Sequence, residues 1–245
     1  MIRAGRLGTM PGMDGRDAHD LARAFRVQEF GKTRPGAIAD ALVEPAWPGL
    51  RVIASVADGR AALWFDGDEI DERPEVSAAL ARATEPAVPQ GAVFEAYLTK
   101  QAATEGVGVQ TVAPQYPSIG SAITRLFIGG RRERDLHIDE GRAIEREAEI
   151  FSEGDIVNLV VVDLLWVDGQ WLLDVPLLER RRVLESIVPE QQLVRPGPYR
   201  REPLGSWVES WRAQGFRGMT FKSANSRYRP GETADDWTLT DMPRR

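Results

Sequence analysis

The chain has 245 residues, 42% of them hydrophobic and 28% charged, with a formal net charge of −6. That balance suits a soluble globular protein of one large domain or two small ones. Cysteine is absent, which excludes disulfides, thiolate metal sites and cysteine nucleophiles together. No run of about eighteen apolar residues occurs and no apolar stretch follows the charged start. Neither a membrane helix nor a signal peptide is therefore expected, and the cytoplasm is the default location. An acidic whole does not mark a general nucleic-acid binder, and acidic neighbours accompany most of the arginine clusters. Basic residues are split unevenly into 28 arginines and three lysines, Lys32, Lys100 and Lys222. Any lysine-dependent mechanism has only those three candidates. The two histidines, His19 and His137, read as surface residues without metal-ligand spacing.

Residues 1–40 lack sustained periodicity and read as a loosely held leader with one short helix at Asp17–Val27. From Ala41 the pattern turns strand-like. Leu42–Pro45 comes first, then Leu50–Val56 and Ala61–Phe65 flank Asp58-Gly59, a strong hairpin signal. Pro74–Ala83 predicts a helix with proline in its first turn. A strand follows at Ala92–Thr99, then a helix at Ile119–Phe127 and an exposed helix within the charge-dense residues 129–149. Ile156–Val167 predicts a buried strand ending in an Asp168-Gly169 turn. The segment Pro176–Leu184 predicts a helix with Leu177, Leu178 and Leu184 inward and its arginines outward. Leu204–Gln214 predicts a helix whose Trp207 and Trp211, at i and i+4, belong to the core. The last strands fall at Phe216–Phe221 and Asp236–Thr240. No repeat emerges, so an α+β fold of mostly antiparallel sheets flanked by helices fits best, over residues 41–245.

Four ordered segments carry more than fold. They are Glu44-Pro45-Ala46-Trp47-Pro48-Gly49-Leu50-Arg51; Asp163-Leu164-Leu165-Trp166-Val167-Asp168-Gly169 with Pro176-Leu177-Leu178-Glu179-Arg180-Arg181; Gly215-Phe216-Arg217-Gly218-Met219-Thr220-Phe221-Lys222; and Tyr228-Arg229-Pro230-Gly231 with Asp236-Trp237. Their order and spacing resemble the adenylation (nucleotidyltransferase) domain of the ATP-dependent DNA ligase family, from about Ala41 to Asp241. The resemblance implies a ligase/capping-enzyme-type nucleotidyltransferase fold. It also implies ATP and Mg²⁺ as cofactors, and nicked DNA or a DNA-repair protein as partner, with no membrane involved.

In that family a lysine amine attacks the α-phosphate of ATP, carboxylates hold the metal and cations stabilise developing phosphate charge. Laid on that pattern, the nucleophile's position is Ala46 and the following aspartate is Pro48. The metal carboxylate positions fall on Tyr97 and Arg217, an expected arginine on Phe65, and the adenine platform on Val162. The two final lysines become Leu239 and Asp241. Only Arg51 and Lys222 keep a phosphate-contacting type, so no catalytic residue and no metal ligand is assigned. Eight residues follow Trp237, too few for the oligonucleotide-binding barrel that follows in active ligases.

The resulting expectation is a non-catalytic pseudo-ligase acting as a binding or regulatory partner in the DNA repair class. One alternative is an active nucleotidyltransferase that uses Lys222 as a displaced nucleophile. Another is a nucleic-acid-binding module using Arg51, Arg217 and Lys222. Arg217 itself is expected to pair with Glu44 or Glu95 rather than contact DNA. Lys100 is expected on the face opposite Tyr97, and Lys32 in solvent.

Overall fold

A computed structural model describes residues 17–70, 73–101, 151 and 155–243. The expected helices at Ile119–Phe127 and within 129–149 lie outside these residues, as does His137.

Two sheets pack face to face, and elements are numbered in chain order over the described residues. Helix α1 (Ala18–Ala24) and strand β1 (Glu29–Gly31) precede β2 (Ala41–Pro45), β3 (Leu50–Ala57), β4 (Arg60–Phe65) and β5 (Asp68–Ile70). Then come α2 (Pro74–Thr84), β6 (Ala92–Thr99), β7 (Asn158–Val167), β8 (Gln170–Trp171), α3 (Leu177–Ile187) and β9 (Val194–Pro196). Helix α4 (Gly205–Ala213) and strands β10 (Gly218–Ser223) and β11 (Thr233–Asp241) close the order. The larger sheet runs β5-β4-β3-β6-β7-β8, with β9 added in parallel to β7. The smaller runs β1-β11-β10-β2. All other pairings are antiparallel except β1 with β11.

Alternation along the strands sorts the side chains. Leu50, Val52, Ala54 and Val56 join Phe94, Leu98 and Leu159 in a core that includes Leu80 of α2 and Leu184 of α3. Arg51, Glu95 and Tyr97, from the alternate positions of β3 and β6, belong to the opposite face and meet the smaller sheet. Val43, Met219 and Phe221 of that sheet cluster there with Trp47, Tyr97, Val160 and Val162. The hairpin forms as expected, with Asp58 and Gly59 both at positive φ, 50° and 73°.

Two expectations are corrected. The short helix expected at Asp17–Val27 forms as Ala18–Ala24, but the stretch after it, through Gly31, is not loosely held. Asp17 caps α1 through its side chain, Leu21 and Ala22 are buried, and β1 is an edge strand of the smaller sheet. A three-residue strand is too short to show alternation in sequence. The arginines of α3 also do not all face outward: Arg180 and Arg181 are fully buried, and Arg182 is exposed. Positions 177, 180, 181 and 184 form one i, i+3, i+4, i+7 stripe, so the helical period itself carries both guanidinium groups inward.

Burial of those two charges has a structural cause. Asp163 accepts two bonds from Arg180, at 2.8 and 2.7 Å, and Arg180 also donates to the carbonyls of Val175 and Ser226. The β6–β7 register skips Val162 and Leu165, leaving bulged residues in β7. Arg181 donates to the Val162 carbonyl at 2.6 Å and to that of Gly197. The side chain thus satisfies backbone at the bulge.

Candidate functional site

The motif residues converge where the two sheets face each other. Strand β2 ends at Pro45 and delivers Ala46, whose amide donates to the Gly218 carbonyl at 2.9 Å. A Cβ at Gly218 would lie 3.2 Å from the Ala46 methyl and 3.7 Å from Leu239 Cδ1. The nucleophile position and one final lysine position are therefore neighbouring apolar groups. Gly49, at φ +128°, brings the backbone so close to β6 that a Cβ would come within 1.9 Å of the Leu98 carbonyl oxygen. Only glycine fits there, which explains its presence in the Glu44–Arg51 segment.

Both remaining cations are internally paired. Lys222 Nζ lies 2.9 Å from Glu44 Oε2, and both side chains are almost wholly buried. The two residues sit on adjacent strands of one sheet, since Lys222 faces Leu42 and Thr220 faces Glu44. Arg51 donates through Nε to Glu95 Oε1 at 2.9 Å. Its Nη2 lies 2.8 Å from the same oxygen without hydrogen-bond alignment, a coulombic contact. Glu95 also accepts the Tyr228 hydroxyl proton at 2.6 Å, and that hydroxyl accepts from the Gln28 amide.

Electrostatics follow this wiring. Burial alone would raise the Glu95 carboxyl, but Arg51, Lys222 and the hydrogen bonds from Tyr228 and Arg51 hold it below its ordinary value. Burial likewise opposes the Arg51 charge, yet Glu95 and other neighbours hold the guanidinium above its ordinary value. Tyr97 and Tyr228 are both pushed up, first by burial; for Tyr228 the Glu95 charge adds to this, while for Tyr97 burial prevails over an opposing pull from Arg51 that is larger than the push from Glu95.

Sequence expectations are met unevenly. Arg51 and Lys222 come together, each facing the ring of Phe30, at 5.0 and 5.9 Å from its centroid. Tyr97 is buried beside Arg51, its direct partner across β3 and β6. Arg217 is exposed, and the two carboxylates considered for it are engaged by Lys222 and Arg51. Phe65 is buried in the core of the larger sheet's far side. Lys32 is exposed and Lys100 pairs with Asp155 at 3.0 Å. Trp211 is buried as expected, while Trp207 is half-buried with Arg200 stacked 3.8 Å from its ring. His19 is half-buried rather than superficial, with Nδ1 2.8 Å from Ser55 Oγ. Phe30 and the Glu95–Tyr228 bond escaped sequence reasoning; the alternation of Arg51, Glu95 and Tyr97 on paired strands was the available signal.

The side chains present do not fit a metal-bound nucleotide. Val162, at the platform position, is fully buried in one cluster with Trp47, Tyr97 and Met219, so no flat base reaches it in this conformation. Among the described residues no three His, Asp or Glu side chains gather at metal-binding distance.

Comparison with known proteins is consistent with this layout. A model of the ATP dependent DNA ligase domain matches residues 132–238. The ligase domain of Mycobacterium tuberculosis LigD superposes with a TM-score of 0.59 at 17% identity, covering 89% of this chain and 60% of that one. The fold is that of the ligase domain. A mycobacterial DNA ligase D complexed with ATP and MES superposes equally well, TM-score 0.59 at 18% identity over the same shares of the two chains. In sequence, a DNA ligase of Methanothrix thermoacetophila is 36% identical over 85 residues, 33% of this chain and 15% of that protein. A probable DNA ligase of Pseudarthrobacter chlorophenolicus is 38% identical over 77 residues, 31% and 15% respectively. The matched part is thus a small fraction of those relatives. No helix among the described residues is long and apolar enough to cross a membrane.

Proposed function

We propose that this domain is a non-catalytic relative of the ligase adenylation domain, acting in the cytoplasm as a binding or regulatory partner of nicked DNA or of a DNA-repair protein. The observation that carries the reading is Ala46. A methyl group stands where covalent capture of adenylate needs an amine, and an amide-bonded backbone fixes it against Gly218. Three further features support it. Val162 is sealed beneath Trp47 and Tyr97, Tyr97 replaces a carboxylate, and Arg51 and Lys222 spend their charge on Glu95 and Glu44. Lys222 as a displaced nucleophile is disfavoured by its burial and by its 2.9 Å pair with Glu44, which keep the nitrogen engaged and out of reach.

Incubation with α-labelled ATP and Mg²⁺, followed by acid quench, tests the reading. No protein-bound AMP is expected at any of the three lysines, and a labelled lysine peptide would end it. Titration with nicked duplex DNA addresses the partner, since phosphate contacts weaken steeply with added salt. Complexes that form only with an added repair protein would favour the protein partner.

A further inference from the structure

The chain's own N-terminal segment lies over the cleft. Phe30 packs its ring against Arg51, Lys222 and Trp237, the last at 6.0 Å between centroids. Residues 27–31 are stitched along their length to the 228–238 stretch. The Gln28 amide donates to Tyr228, the Glu29 amide to the Glu232 carbonyl at 2.9 Å, and the Gly231 amide to the Val27 carbonyl at 3.3 Å. The Arg229 amide donates to Gln28 Oε1, and Thr238 Oγ1 to the Gly31 carbonyl at 3.4 Å. Gly31 is pressed so closely that a Cβ would lie 2.3 Å from the Ala234 carbonyl oxygen. Immediately upstream, α1 packs on β3 and β6 of the larger sheet. One short stretch therefore grips both sheets.

We propose that residues 27–31 form an occluding strap: Phe30 closes the cleft in cis over Lys222 and Arg51, and release of β1 is the step that opens it. The strap is held by edge-strand hydrogen bonds and by the partly buried Val27 and Phe30 at the margin of an apolar core, whereas the sheets beneath it share continuous, fully buried cores. Such an edge opens locally at lower free energy than the core. The strap follows from the cleft's geometry and stands apart from the question of catalysis.

Having only three lysines makes the cleft readable by acetylation of the full chain with an amine-reactive ester, followed by peptide mass spectrometry. In the native protein Lys32 and Lys100 acetylate and Lys222 stays protected. Phe30→Ala should speed Lys222 acetylation at least ~10-fold without changing Lys100, while thermal unfolding stays cooperative. Protection that persists in a folded Phe30→Ala protein overturns the strap, as does native Lys222 reacting as fast as Lys100. If Phe30→Ala does not fold, the unaltered chain in sub-denaturing urea gives the answer. Lys222 acetylation should rise together with hydrogen exchange at the Gln28 and Glu29 amides, ahead of Phe94 and Val160. Acetylation that appears only with exchange of the core amides counts against the strap. Failure of the non-catalytic reading shows separately, as labelled AMP on a lysine.

Discussion

Among the described residues, ion pairs are buried in two regions and treated differently. At the α3–β7 junction, Asp163 takes a two-point bond from Arg180 and one from its neighbouring amide of Leu164, and Arg180 places its remaining donors on backbone carbonyls. Between the sheets, Glu44 Oε1 and Gln28 Nε2 are buried without a hydrogen-bond partner, as is Trp47 Nε1 nearby. In the first region the Asp163–Arg180 pair is closed, although Arg181 Nε beside it is buried without a hydrogen-bond partner. The second is a cleft whose charges cancel one another across neighbouring strands. Geometry therefore separates the two: Arg180 spreads its donors over a carboxylate and the backbone, whereas Arg51 and Lys222 pair sideways with carboxylates on neighbouring strands.

The sharpest way to break this contrast is Arg180→Met, which strands Asp163 in a dry interior. A loss of ~3–5 kcal/mol in urea unfolding is expected, and a loss below ~1 kcal/mol would mean that the joint is not structural. Glu95→Gln comes next, at about 3 kcal/mol, because an amide still accepts from Tyr228 and Arg51 while leaving the cation uncompensated. Its pH signature is specific. The folded Glu95 value is lowered, so its stabilisation is present above the unfolded carboxylate value of about 4.3 and is lost as pH falls through the lower folded value. Unfolding free energies of native and Glu95→Gln proteins should therefore converge as the solution is acidified.

Tyr228→Phe is smaller, at about 1–3 kcal/mol, since it leaves Glu95 one donor short and the Gln28 amide without its acceptor. Here the sign reverses. The folded Tyr228 value is raised, so its contribution is complete below the ordinary tyrosine value of about 10 and is lost as pH climbs towards the folded value. The phenylalanine variant should be less sensitive to alkaline unfolding than the native chain. Ala46→Lys closes the series. At a half-buried position beside Gly218, it should shift stability by no more than ~1 kcal/mol. It should also yield no AMP adduct, because Val162 and Tyr97 are unchanged. A clear adduct on the amine introduced at position 46 would show that the cleft retains its nucleotide geometry.

Most of the strand order needed for the site was legible from residues. Alternation set β3, β6 and β7, Asp58-Gly59 set the hairpin, and Glu44–Arg51 with Gly215–Lys222 located both walls of the cleft. Less legible were β1, whose few residues give no period, and the inward arginines, for which hydrophilicity argued against a stripe that spacing supported. Within the site, Arg51 and Lys222 were found in sequence, but their partners were not. Glu44 lies 178 positions from Lys222 in the chain and Glu95 lies 44 from Arg51, so only strand pairing brings them within reach.

The amino-acid sequence by itself determined the class of fold and the methyl side chain at position 46, because strand periodicity and side-chain identity are local properties. Which carboxylate each cation meets, and that Phe30 covers them, was decided only in three dimensions. Those outcomes depend on register between distant strands and on burial, where the low polarity that strengthens a pair also makes an unpaired charge costly.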